Sequence, residues 1–228
     1  MLYRAQKHPP KIRTLAALEA IKELIDKSIE ENKPVIFSTG VGKLSGEDIT
    51  QSMAALTLLN YTAKLAADKG SYLIYLTTEP VIVPIAEDMM RSAYGTQFQN
   101  DQIIFLPGQA AMMSQVYGIY ERERPSASML LGALYWEANV ITEAAARAGA
   151  MQIGGTGRLY QIPYIACNCD FSLIGEELLV AGAYVSQDVP QLGTIQGSDI
   201  IRVIIIGLII IIALTSIVGL NIVTIFKW

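Results

Sequence analysis

Apolar residues recur at helical spacing at Ile12, Leu15, Leu18, Ile21, Ile25 and Ile29, with Arg13, Glu19, Lys22, Glu23, Asp26 and Glu30 on the other faces. The pattern predicts a surface amphipathic helix ending near Asn32. A different pattern follows. Val35-Ile36-Phe37-Ser38-Thr39 is a short apolar run closed by glycines, which predicts a buried strand. Ser45 with Asp48 three residues later resembles a capping box, and the helix it opens is expected to reach Lys69, with Gly70 at its C′ position. No charge occurs from Ile49 to Ala63, so this helix is expected to be buried on more than one side, either inside the fold or against another subunit.

The alternation continues. Strands are expected from Tyr72 to Leu76 and from Ile103 to Leu106, each followed by a helix, the second running from about Gln109 to Tyr120. Glu121-Arg122-Glu123-Arg124-Pro125 breaks that helix, and a further one is expected from Ser128 to Ala148, ending at Gly149. Ala150 to Ile153 and Ile162 to Cys167 read as a fourth and fifth strand, and Ile174 to Val185 as a helix with Glu176 and Glu177 in its first turn. Strands that are continuous apolar runs, alternating with helices, predict an α/β fold: a Rossmann-like three-layer sandwich with a mostly parallel sheet, plus one C-terminal transmembrane helix.

That last helix is the longest apolar run. From Val203 to Phe226 there are 24 residues without a charge, 17 of them Val, Ile, Leu or Phe. Such a run spans a hydrocarbon core of roughly 30 Å with some tilt to spare. Arg202 and Lys227 bracket it, so the positive-inside rule does not choose an orientation. No 7–15-residue apolar stretch occurs before Glu31, so no signal peptide is expected, and the domain is expected on the cytoplasmic side. The expected organisation is an exposed tail over 1–11, a soluble α/β domain over 12–187, a linker over 188–199 and an anchor over 200–228.

Composition narrows the function. The chain is 52% hydrophobic and 17% charged with a net charge of −4, and it has no basic stripe, so no nucleic-acid partner is expected. The only histidine, His8, lies in the tail, which removes most histidine-dependent catalysis. Cys167 and Cys169 are too close for an unstrained disulfide and read as reduced, buried small side chains, and no metal site is expected.

Ligands in such sheets bind beyond the carboxyl ends of the strands, which singles out four segments. The first holds Ser38, Thr39, Gly40, Gly42 and Lys43, where glycines and a helix N-terminus favour an anion. Its spacing is neither the dinucleotide fingerprint nor a P-loop, and turn glycines with a solvated lysine account for it equally. The second, Thr77-Thr78-Glu79-Pro80, offers Glu79 to ribose hydroxyls, 33 residues after Gly46 where about 20 is usual, and helix capping explains it as well. The third, with Gly155 and Arg158, combines flexible donors with a guanidinium; a plain connection between strands is the alternative. The fourth, around Asp170, places carboxylates near a strand end, for a hard cation, a base or simply a helix cap. Glu143 with Arg147 at i+4 reads as an intrahelical ion pair.

The segment from Leu173 to Tyr184, with Ser38-Thr39-Gly40 and the segment from Glu143 to Gly149, resembles a prokaryotic membrane-associated family catalogued only as a domain of unknown function. The resemblance covers most of the soluble part and the anchor. It implies a bacterial or archaeal membrane protein and brings no activity, cofactor or catalytic residue with it.

The expectation is a membrane-anchored, self-associating scaffold without catalysis or cofactor. It would meet lipid through Val203 to Phe226 and a second copy through the uncharged helix from Ile49 to Ala63 and the Ala-rich helix from Ser128 to Ala148. The alternative is a tethered nucleotide- or phosphate-ligand-binding domain, possibly an enzyme. A subunit of a complex with an unknown protein partner is the remaining case.

Overall fold

The computed structural model describes residues 16–186 and 189–217. The expected exposed tail, the first turn of the first helix and the end of the apolar run, 218–226, lie outside the described residues.

The described chain holds six strands in one sheet, all parallel, in the order β3-β2-β1-β4-β5-β6. The strands are β1 (Val35–Ser38), β2 (Leu73–Thr77), β3 (Ile103–Phe105), β4 (Ala127–Leu131), β5 (Met151–Thr156) and β6 (Phe171–Ile174). Helix α1 (Ala16–Glu31) precedes β1, and α2 (Ile49–Lys69), α3 (Ile82–Tyr94), α4 (Gly108–Glu123), α5 (Glu137–Ala148), α6 (Ile162–Asn168) and α7 (Glu176–Ser186) follow the strands in turn. The order reverses direction between β1 and β4, the Rossmann-like doubly wound arrangement.

Successive strand residues point to opposite faces, and both faces are covered. Val35 and Phe37 pack under α1, α2, α3 and α7, together with Leu73, Tyr75, Met129 and Ile153. Ile36, Ile74, Leu76 and Leu130 pack under α4, α5 and Ile165 of α6. This is why the strands carry no polar alternation. Helix α2 lies between α3 and α7. A Cβ on Gly182 of α7 would be 3.2 Å from the α-carbon of Ala54, so two helix backbones meet there. The stretch from Ile49 to Ala63 is mostly buried inside the fold, the first of its two alternatives; Ile49 and Met53 alone of its large apolar residues stay exposed.

Three expected elements are corrected. The segment from Ser128 to Ala148 is not one helix: its first part is β4, paired with β1 and β5, and α5 begins at Glu137. Met129, Leu130 and Leu131 favour helices locally, but two parallel neighbours decide the outcome. The segment from Ile162 to Cys167 is helix α6, opened by Pro163 in its first turn. The strand expected at Ala150 to Ile153 is present as β5 and runs on to Thr156, and β6 is a strand the sequence pattern did not predict.

The last helix, α8 (Val189–Ile217), is described by itself. Residues 189–198, expected as a linker, are helical and continuous with the apolar run. Among the described residues no helix is long and apolar enough to cross a membrane.

Candidate functional site

The carboxyl ends of β1, β4 and β5 meet at the strand-order reversal, and their loops carry most of the candidate residues. Gly40 turns the chain out of β1 with φ +63°, and its N–H donates to Ser38 Oγ at 3.1 Å. Thr39 Oγ1 shares a 2.8 Å hydrogen bond with the Tyr75 hydroxyl under the loop. Thr78 Oγ1, at the end of β2, donates to the Gly40 carbonyl at 3.4 Å. Glu79 follows it half-buried, and its carbonyl accepts the Ile82 N–H that opens α3.

Several backbone donors that could cradle an anion already have internal acceptors. Val41 N–H donates to Glu137 Oε1 at 3.2 Å, and Tyr135 N–H to the same oxygen at 3.1 Å. Gln109 Nε2 donates to the other carboxylate oxygen at 2.8 Å. Glu137 is fully buried. A Cβ on Gly40 would stand 2.6 Å from Glu137 Oε1, so only glycine admits this carboxylate. Lys43 N–H donates to Asp48 Oδ2 at 3.3 Å, while the Lys43 side chain is exposed. Gly42 is buried against Ser52, whose Oγ has no hydrogen-bond partner.

Arg158 ties the loops together. Its guanidinium pairs with Glu47 at 2.9 Å and with Asp48, donates to the Tyr135 hydroxyl at 2.6 Å, and stacks 4.9 Å from the Tyr135 ring centre. Its side chain is 14% exposed and that of Asp48 9%. Burial works against its charge, but Glu47 and Asp48 outweigh that and the guanidinium is held even more firmly protonated than usual. Tyr135 is pushed up to about 12, first by burial and then by donating to the Asp48 carboxylate. Gln51 completes the lock, its Oε1 accepting from Gly157 N–H at 2.7 Å.

The expected capping box does not form. Ser45 makes no side-chain cap bond, and the Asp48 carboxylate serves Arg158, Tyr135 and Lys43.

Two candidates fall elsewhere. Gly155 is inside β5, and a Cβ there would meet Leu131 Cδ2 at 2.8 Å and Leu173 Cβ at 2.9 Å; it is a packing glycine between neighbouring strands, not a flexible cradle. Asp170 precedes β6 and so lies at the amino edge of the sheet, where its carboxylate accepts Gln152 N–H at 2.7 Å. Glu143 and Arg147 form the expected i,i+4 pair at 2.6 Å. Sequence reasoning missed Asp48 as more than a cap, and missed Gln51, Gln109, Tyr135 and Glu137 altogether. A carboxylate placed directly after the apolar run from Leu130 to Trp136 was the available signal.

Among the described residues no group of three His, Cys, Asp or Glu could hold a metal ion. A cavity of about 260 Å³ at the ends of α4 and α5 and another of about 350 Å³ beside β3 contain none of the candidate residues.

The edge also bears large exposed apolar side chains: Trp136 at 64%, Leu159 at 82% and Tyr160 at 48%. The Tyr160 and Tyr135 rings are 6.3 Å apart, so this patch rests directly on the Arg158 network.

No curated protein and no solved structure matches the chain. One family model matches residues 1–226, in agreement with the resemblance seen in the segments around Ser38, Glu143 and Leu173. The chain therefore belongs to the family described as Domain of unknown function (DUF6754).

Proposed function

We propose that this protein is a membrane-anchored, self-associating platform without catalysis, in which the carboxyl edge of one domain docks a second copy. One observation carries the reading: the Val41, Lys43 and Gly157 N–H groups at the carboxyl edge are taken by Glu137, Asp48 and Gln51, while Trp136, Leu159 and Tyr160 on the same edge face solvent. A second copy suits the patch because a two-fold interface needs only one self-complementary surface.

The anchor is the apolar run from Val203 to Phe226. In its support, the run is helical as far as Ile217, and Val203, Ile204, Ile205 and Ile206 are about half exposed or more. Protease accessibility in oriented vesicles tests the cytoplasmic placement of the domain.

The decisive test is the mass of the full chain in mild detergent at micromolar concentration. Oligomers are expected in the native chain, and monomers in the double variant Leu159→Asp, Trp136→Ser. A native monomer would sink the reading.

The strand order and the glycine loop keep a nucleotide- or phosphate-ligand-binding domain as the second reading. A thermal-shift panel with ATP, GTP, NAD and NADP separates the two, since a site filled at 100 times its dissociation constant adds about 2.7 kcal/mol. The platform reading expects no shift.

A further inference from the structure

We infer that the β1 loop is an oxyanion site that carries an internal ligand, the Glu137 carboxylate, and that removing this carboxylate opens the loop to small carboxylates and inorganic phosphate. The inference does not depend on self-association.

Three donors from three separate segments converge on one carboxylate: Val41 N–H after β1, Tyr135 N–H before α5 and the Gln109 side-chain amide of α4. Two of them are backbone groups, which cannot turn away. Glu137 is fully buried, and among the described residues no lysine or arginine pairs with it. A buried anion without a cationic partner persists only where hydrogen bonds satisfy it. The site is thus built for a negative oxygen, not for a positive charge.

The surrounding backbone is shaped for the same occupant. Gly40 has φ +63° and no room for a Cβ beside Glu137 Oε1. Next to it, Ser52 is fully buried with Oγ unpartnered and lies against Gly42, where a Cβ would stand 2.9 Å away. That hydroxyl is a further donor aimed at the loop with nothing to donate to. Backbone N–H groups beside left-handed glycines, at the point where strand order reverses, form the usual concavity for an oxyanion. Here the protein fills it with its own carboxylate. An external anion must displace Glu137 to enter, so the native chain binds none.

The test compares the full native chain with Glu137→Ala and Glu137→Gln in detergent. Melting is followed in sodium formate, sodium acetate or inorganic phosphate against sodium chloride at matched ionic strength. Glu137→Ala should melt below the native chain, and formate, acetate or phosphate should raise its melting temperature saturably by several degrees over chloride. The native chain and Glu137→Gln, whose sites stay filled, should show only the shallow, non-saturating rise that excluded anions give any protein. Anion responses identical in Glu137→Ala and the native chain would overturn the inference. If Glu137→Ala folds only when refolded in formate, the inference stands. The Glu137→Gln variant decides independently: it keeps the shape without the charge and should be less stable than the native chain. Equal or greater stability would show that the site has no use for an anion.

Discussion

Gly40 and Glu137 compete for one volume. A Cβ on Gly40 would stand 2.6 Å from Glu137 Oε1 and 2.9 Å from Leu134 Cδ2. Gly40→Ala is therefore expected to lower stability by about 3 kcal/mol, combining a left-handed penalty of about 1–2 with overpacking of about 1–3. In a Glu137→Ala background the clash with Oε1 is gone, and the penalty should shrink by about 1 kcal/mol. Urea unfolding of the four variants measures this coupling. Strict additivity would mean that the two residues do not share the space.

Arg158 and Asp48 form the least exposed ion pair of the described chain, with Tyr135 bonded to both. Removing one partner strands the other, so Arg158→Met should lower stability by about 3 kcal/mol. Arg158→Lys should recover little of this, because an ammonium cannot stack on Tyr135 while reaching both Glu47 and Asp48. Full recovery in chemical denaturation would reduce the network to a plain charge contact.

Gly155 of β5 sits between Leu131 of β4 and Leu173 of β6 with no room for a Cβ. Gly155→Val would press on Leu131 and on both side chain and carbonyl of Leu173, within 3.1 Å for the first carbon alone. A loss of about 2–3 kcal/mol or failure to fold is expected, whereas a ligand-binding role for Gly155 would leave melting unchanged.

The first half of the sheet was legible because its strands are short apolar runs closed by turn residues. Val35, Tyr72 and Ile103 mark β1, β2 and β3 to within a residue or so at their starts. The second half hid its boundaries. Ala127 to Leu131 is made of residues that suit a helix as well as a strand, and it merged with the true helix behind it. Ile162 to Cys167 looked like a strand through Ile162, Tyr164 and Ile165, although Pro163 was a helix-start signal. Those two errors also moved the site. With β4 read as helix, Tyr135 and Glu137 appeared as mid-helix residues, and the bond from Val41 to Glu137 across 96 positions of sequence had no local trace. Arg158 was legible as a charge beside glycines, but its partners Glu47 and Asp48 could be found only from the sheet order.

The two cysteines should differ sharply towards thiol reagents. Cys167, expected to be buried, is exposed near the end of α6, a short helix that buries Ile165 instead. Cys169 is half-buried, and burial, aided by Asp170, pushes its thiol up to about 12. Reactivity follows the thiolate, so one thiol per chain should react quickly and the second only on unfolding. Two equally fast thiols would place Cys169 outside the fold.

Alkaline conditions should destabilise the domain through its tyrosines, and the sign follows from their burial. Tyr75 is pushed up to about 12 by burial, against the easing effect of its hydrogen bonds to Thr39 and Thr77. Tyr135 and Tyr72 rise to about 12 as well, by burial first and then by donating to Asp48 and Asp101. A phenol is neutral when protonated, and in the unfolded chain it loses its proton near pH 10. Between about 10 and 12 the folded state therefore binds more protons than the unfolded state, so stability falls as pH rises. The contribution is fully present below about 10 and is lost as pH climbs through the folded values. Urea midpoints should start to fall near pH 10, with a shallower fall in Tyr135→Phe and Tyr75→Phe. Phenolate absorbance should show the same groups ionising together with unfolding. If all the tyrosines ionise near 10 while the domain stays folded, the Tyr135–Asp48 and Tyr75–Thr39 contacts do not hold their protons, and the lock over the carboxyl edge is looser than its geometry indicates.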